Sequence, residues 1–271
     1  MPVTRAVILA RGLGTRMRRA DAGARLEAGQ AAAADVGCKA MIPVGGRPFL
    51  DFLLSALADA GVRDVCLVVG PEHTPVRVHY ERVRPERLRI HFAVQPEARG
   101  TADALLAAET FIGAEPFLAL NADNYYPAEV LAALSRQPAP ALPAFAPAAL
   151  REQGNIPAER IASFALLELA ADGRVRRIHE KPDAETLARL GPDAPVSMNV
   201  WLLTPDVLRA CREVPRSAGG EFVLPVAVQY GIDHLGLHVH TFPVQAGVLD
   251  LSQRADVAAV AHRLAGLVPA P

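Results

Sequence analysis

Short β-type apolar runs alternate with Ala/Leu-rich stretches of helical spacing through the first half of the chain, and few folds accommodate that alternation. Runs at Ala6–Ala10, Val65–Val69, Ile90–Val94 and Phe117–Leu120 read as strands, and Phe49–Ala60, Thr101–Phe111 and Ala128–Ser135 as helices. Apolar residues at nearly every strand position mean burial on both faces, so helices must cover both sides of a parallel sheet joined by crossovers. The expectation is an α/β, Rossmann-like three-layer fold with a mixed, mainly parallel central sheet.

The second half reads differently. Phe164–Leu169 and Arg174–His179 flank Asp172-Gly173, a strong hairpin signal, so a small antiparallel flap is expected there. A strand at Ser197–Leu203, a helix from Pro205, a strand at Leu237–Phe242 and a final helix at Ser252–Leu264 complete the layout. Pro138–Pro147 alternates Pro with Ala; it reads as a Pro-bounded edge strand rather than a linker. One domain spanning 1–271 is expected, in two halves over about 1–135 and about 136–250, with a C-terminal helix over about 252–264. Ala20–Val36, Ala-rich with scattered Gly, Asp and Gln, fits either a helix or a mobile loop.

Lys plus Arg total 28 against 29 Asp plus Glu, which excludes a bulk electrostatic attraction to nucleic acid or an anionic membrane. Any phosphate must therefore be held locally. The N-terminal apolar run stops at Arg11, too short for a signal-peptide core or a membrane span, so a cytoplasmic location is expected. Cys38, Cys66 and Cys211 lack paired spacing and argue for reduced, structural thiols. His238 and His240 share a strand face but have no third ligand nearby in sequence.

A local phosphate site is suggested where the first strand, ending at Ala10, runs into Arg11-Gly12-Leu13-Gly14-Thr15-Arg16. Glycines at such a turn let backbone N–H groups approach an anion. Met17 stands where a dinucleotide fingerprint needs its third Gly, and no GxxxxGK loop occurs, so dehydrogenase and P-loop readings both weaken. Further motifs follow in order: Lys39-Ala40-Met41-Ile42-Pro43-Val44, then Gln95-Pro96 with Gly100-Thr101, and then Asn121-Ala122-Asp123-Asn124. Glu180-Lys181-Pro182, Gly220-Glu221 and Leu249-Asp250 come later.

Taken in that order, over roughly residues 3–260, the set resembles the sugar nucleotidyltransferases, the family of glucose-1-phosphate thymidylyl- and uridylyltransferases. The resemblance implies an enzyme that joins a nucleoside triphosphate, UTP or dTTP favoured, to a sugar 1-phosphate, glucose 1-phosphate by default, and releases pyrophosphate. It implies that Ala10, Gly12, Gly14 and Thr15 cradle the nucleotide and that Arg16 and Lys39 stabilise the departing pyrophosphate. Asp123 and Asp250 together hold one Mg²⁺ in this reading. Gln95, with Gly100 and Thr101, reads the pyrimidine edge through its amide. Glu180, Asn199 and Glu221 take the sugar hydroxyls, Lys181 takes the sugar's phosphate, and Asn124 belongs to the same sugar-phosphate site. The family forms dimers and tetramers, so a homo-oligomer is compatible with it.

Three departures stand out. Arg11 replaces the first Gly of the usual Gly-Gly-x-Gly-Thr-Arg, either crowding the nucleotide or gripping a phosphate. The long interval from Arg16 to Lys39 makes Ala20–Val36 a candidate lid over the triphosphate. Around Ser163-Phe164-Ala165, the glycine that usually approaches the sugar is missing. The competing readings are a cytidylyltransferase acting on a polyol or choline-type phosphate, and a nucleotide-sugar-binding regulatory module without turnover.

Overall fold

The computed structural model describes residues 1–21, 23–217 and 219–271. Among them, ten strands form one mixed sheet: β1 (Arg5–Leu9), β2 (Asp64–Val69), β3 (Arg89–Val94), β4 (Phe117–Asn121), β5 (Ala141–Phe145), β6 (Ala165–Leu169), β7 (Val175–His179), β8 (Val196–Ser197), β9 (Val200–Leu203) and β10 (His240–Val244). Their order is β7-β6-β8-β5-β9-β4-β1-β2-β3, with β10 beside β5. The four N-terminal strands run parallel, and β9 enters antiparallel between β4 and β5.

Side chains alternate across each strand, and both faces are filled. Ala6 and Ile8 of β1 pack in a cluster with Leu50, Leu53 and Leu57 of the helix Phe49–Asp59. Val7 and Leu9 join Leu105 of the helix Thr101–Ala107 and Val228 of the helix Leu224–His234 on the other face. The result is the expected three layers. A third cluster, with Met17, Phe49, Leu251 and Val260, seats the C-terminal helix Asp256–Leu264.

The hairpin forms where Asp172-Gly173 places it, with Gly173 at φ 78° and β6 antiparallel to β7. Other expectations shift. The Pro-rich stretch gives β5, whose five residues are all buried in the interior of the sheet, not at its edge. It tolerates Pro143 because its antiparallel partners meet only Ala141 and Phe145, leaving the proline outside those ladders. The expected strand Ser197–Leu203 is interrupted at Met198-Asn199, where Asn199 adopts φ 56°.

Within Ala20–Val36, residues Ala28–Asp35 form a helix, opened by a capping box in which Glu27 and Gln30 satisfy each other's backbone N–H groups. Ala34 packs with Met17 and Ile42, and Gln30 Nε2 donates to Pro43 O at 3.0 Å. Ala22 lies outside the described residues. This segment buttresses the edge of the core. None of its described residues lines the cavity at the carboxyl ends of β1 and β4, so its contacts here are with the core.

Candidate active site

At the carboxyl ends of β1 and β4 a cavity of about 400 Å³ opens, where α/β sheets place ligands. Leu9 pairs with Asn121 across the two strands, so the turns that follow them are forced together at its floor. The β1 turn contributes Ala10, Arg11, Gly12 and Thr15, and the β4 turn contributes Asp123. Gly12 faces open space, and a Cβ there would meet nothing within 4 Å. Gly14 is required for a different reason: at φ 60°, a Cβ would lie 2.4 Å from Gly37 O. Its glycine serves chain packing.

Lys39, in the short 3₁₀ turn Lys39–Met41, reaches across to Asp123, with Nζ to Oδ2 at 2.7 Å. Both side chains line the cavity. Thus a cation and an acid stand together at the strand ends, where charged reactants would meet.

Gln95 follows β3 and is buried, and its orientation is set by chemistry. The amide Nε2 donates to Gly100 O at 3.1 Å and to Asp103 Oδ2 at 2.7 Å. Both partners are acceptors, so the NH₂ group is committed and only Oε1 remains for a ligand. In this arrangement the amide would read a pyrimidine edge through Oε1 alone. Gly100, at φ 113°, lies against the backbone of Phe222, where a Cβ would meet its O at 2.4 Å. Thr101 Oγ1 accepts from Leu224 N at 2.8 Å, fastening the segment that carries Glu221.

The same cavity is lined by Glu180, Lys181, Asn199 and Glu221. Two of these carry unusual backbone: Lys181 at φ 49° and Asn199 at φ 56° are, with Arg84, the non-glycine residues at positive φ among those described. Such conformations cost energy, persist only where surrounding structure enforces them, and cluster at functional sites. Burial raises the Glu180 carboxyl above its ordinary 4.5, and Lys181 only partly counters this. Cys38 also lines the cavity, and burial raises its pKa above the ordinary 9.0, so it stands as a neutral thiol and a poor nucleophile.

Other expected residues lie behind these walls. Asp250 pairs with Asn124 in a short antiparallel ladder, and Leu251 N donates to Asp123 O at 2.8 Å, so the two aspartate-bearing segments do converge. The carboxylates, however, do not share a partner. Asp250 is buried and outside the cavity lining: its Oδ1 accepts from Ser252 Oγ at 2.9 Å and Asn124 Nδ2 at 3.2 Å, and its Oδ2 from Arg160. Arg160 also pairs with Asp256, through Nη1 to Oδ1 at 2.5 Å. Arg16 turns toward Ser252, at 3.5 Å, instead of the cavity. Among the described residues no group of three or more His, Cys, Asp or Glu is placed to hold a metal ion, His238 and His240 included.

For a divalent ion, then, Asp123 fits: it lines the cavity with a hard oxygen ligand beside the space phosphates would fill. Asp250, held by Arg160, Ser252 and Asn124, lies outside that lining. Sequence reasoning missed Arg160, a lone arginine in the four-residue helix Ala158–Ile161, and Asp103, which fixes Gln95. Only Asp103 had a legible signal, one helical turn beyond Gly100.

A cavity at the carboxyl ends of parallel strands, lined by a glycine turn, two lysines and three carboxylates, marks a ligand-binding α/β protein. The particular family follows from comparison: residues 35–235 match the nucleotidyl transferase family model, and the chain belongs to that family. It is 27% identical over 265 residues to a glucose-1-phosphate thymidylyltransferase of Streptomyces antibioticus, covering 93% of this chain and 64% of that protein. It is 26% identical over 254 residues to a UTP–glucose-1-phosphate uridylyltransferase of Bacillus subtilis, covering 84% of this chain and 80% of the relative. The fold matches a UDP-glucose pyrophosphorylase solved in complex with UDP-glucose, with a TM-score of 0.73 at 16% identity over 96% of this chain and 97% of that one. A UTP-bound enzyme of Acinetobacter baumannii gives 0.72 at 17% identity, over 96% and 92%. No helix among the described residues is long and apolar enough to cross a membrane.

Proposed function

We propose that this chain is a Mg²⁺-dependent sugar-1-phosphate nucleotidyltransferase, taking UTP or dTTP and a sugar 1-phosphate, glucose 1-phosphate by default, to the nucleoside diphosphate sugar and pyrophosphate. One observation carries the reading: a single cavity is lined by Gly12, Lys39 and Gln95 together with Glu180, Lys181 and Asn199. Two anionic reactants can thus meet in one chamber. The names of the relatives and of the UDP-glucose complex support the substrate classes.

The chemistry asks little covalent work of the protein. An oxygen of the sugar phosphate, already ionised, attacks the α-phosphorus; the new P–O bond forms as the α–β bridging bond breaks, and its electrons leave on pyrophosphate. No general base is needed. Lys181 offsets the charge of the incoming phosphate and aligns it, chiefly a positioning effect. Lys39 stabilises the departing pyrophosphate, with Arg16 joining if it turns from Ser252 into the cavity. Glu180, Asn199 and Glu221 accept from or donate to sugar hydroxyls, with Asn124 behind them. Mg²⁺ would be held by Asp123, and by Asp250 once Arg160 lets go; when bound it offsets phosphate repulsion and templates the two reactants.

The test supplies Mg²⁺, glucose 1-phosphate and each of UTP, dTTP, CTP, ATP and GTP, with pyrophosphate measured by a coupled assay and the product by ³¹P NMR. Pyrophosphate with UTP or dTTP is expected, and Asp123→Asn should suppress it at least 100-fold, about 2.7 kcal/mol of transition-state stabilisation. Nucleotide binding without pyrophosphate for any pair would point to a regulatory binding module. Turnover confined to CTP with a polyol or choline phosphate would point to the cytidylyltransferase reading.

A further inference from the structure

Resting on the assignment of the cavity to a pyrimidine nucleotide, we propose that Asp103 is a specificity-determining residue: by holding the Gln95 amide in one orientation it selects a base that presents an N–H, as uracil and thymine do, and rejects cytosine. Asp103 lies in the first turn of the helix Thr101–Ala107 and does not line the cavity, so it acts through Gln95 as a positioning residue. Its Oδ2 accepts from Gln95 Nε2 at 2.7 Å, and Gly100 O accepts from the same NH₂ at 3.1 Å.

What this leaves of the amide is one accessible acceptor. Gln95 is 2% exposed and lines the cavity. No donor among the described residues reaches its Oε1, yet Oε1 is not among the buried atoms without a partner, which are Arg11 Nη1, His79 Nε2 and Ser197 Oγ. Oε1 therefore keeps part of that small exposure, where a ligand can touch it.

The surroundings of Gln95 are fixed. Its backbone N donates to Val69 O at 2.9 Å and its carbonyl accepts from Arg11 Nε at 2.9 Å, while Arg11 Nη2 donates to Pro96 O at 3.1 Å. The arginine that stands in place of glycine in the β1 turn thus braces the backbone on which Gln95 is mounted. Gly100 is pressed against Phe222, whose N donates to Arg99 O and whose O accepts from Ala102 N, each at 2.8 Å. Turning the amide over would set Oε1 against Gly100 O and a carboxylate, and would forfeit a charge-assisted hydrogen bond.

A fixed acceptor discriminates between pyrimidines. Uracil and thymine carry N3–H between two carbonyls, whereas cytosine carries an unprotonated N3 beside its amino group. Oε1 accepts from N3–H but meets the N3 of cytosine lone pair to lone pair. To offer its amino group instead, cytosine would have to slide by one ring position. An amide free to turn could serve both bases, since glutamine is donor at one end and acceptor at the other.

Isothermal titration of the full chain with UTP, CTP and inorganic tripolyphosphate tests this. Wild-type protein should bind UTP at least about ten-fold tighter than CTP. Asp103→Ala removes the charged acceptor, and the UTP:CTP affinity ratio should then fall about ten-fold, the worth of one hydrogen bond to a charged group, with tripolyphosphate binding unchanged. A purely structural role would weaken both nucleotides equally, and a ratio that survived the substitution would overturn the proposal. So would equal affinity of the wild-type protein for UTP and CTP, a result that does not depend on the variant folding. Wild-type protein that bound tripolyphosphate but neither UTP nor dTTP would instead refute the assignment of the cavity.

Discussion

Replacing Lys181 by glycine should produce a protein that is more stable than its alanine counterpart and just as inactive. Lys181 sits at φ 49° on the cavity wall, a left-handed backbone that costs an L-residue about 1–2 kcal/mol and glycine almost nothing. Alanine removes the ammonium but keeps the strained backbone, whereas glycine removes both. Glycine gives back about 0.4–1 kcal/mol through the greater freedom of its unfolded chain. The remainder favours Lys181→Gly over Lys181→Ala by about 0.5–1 kcal/mol, or about 1–4 °C in Tm for a chain of this size. Urea unfolding of the two variants reads the difference, and pyrophosphate release reads the loss of the charge, which both should show to the same degree. An alanine variant as stable as the glycine variant would mean that the backbone at 181 is not held under strain, and the inference from strain to function there would fail.

Glu180→Gln should alter both stability and its pH dependence. Burial raises the wild-type carboxyl above its ordinary 4.5, so its favourable protonated contribution is complete below that value and is lost as pH rises through the folded-state pKa; the glutamine variant should therefore gain relative stability toward neutral pH in urea titrations and lose that advantage in acid. Arg160→Gln leaves the buried carboxylates of Asp250 and Asp256 with their neutral hydrogen-bond donors but no cation, which should cost about 3–5 kcal/mol. If Asp250 can meet a divalent ion, Mn²⁺ should restore part of that loss and affect wild-type stability much less, as seen by thermal unfolding; no restoration would remove Asp250 from the metal site.

The parallel half was legible because burial on both faces writes continuous apolar runs, as in Val65–Val69 and Phe117–Leu120, and a glycine turn marks where the sheet offers its ligand edge. The hairpin at Asp172-Gly173 was legible through its turn. The break at Asn199 was not, because asparagine in the left-handed region leaves no mark in a run as apolar as Val196–Leu203. The edge placement of Pro138–Pro147 failed because the gap in the ladder that accommodates Pro143 is made by strands about sixty residues away. Similarly, motif order located Gln95, Asp123 and Asp250, but not which of their atoms remain available. That depends on Asp103, Lys39 and Arg160, whose contacts span from eight to ninety residues. Residue types announce a chemistry, and hydrogen-bond partners decide how much of it is free.

The central claim is that the cavity at the ends of β1 and β4 holds a pyrimidine nucleotide with its base against Gln95 and its phosphates toward Gly12 and Lys39. A crystal soaked with 5-iodo-UTP tests this most directly, since anomalous scattering from iodine locates the ring without prior interpretation. Iodine within contact distance of the Arg11 and Gln95 end, with phosphate density beside Lys39, is the predicted result. Iodine outside this cavity, or beside Lys181 with the phosphates against Gln95, would contradict it.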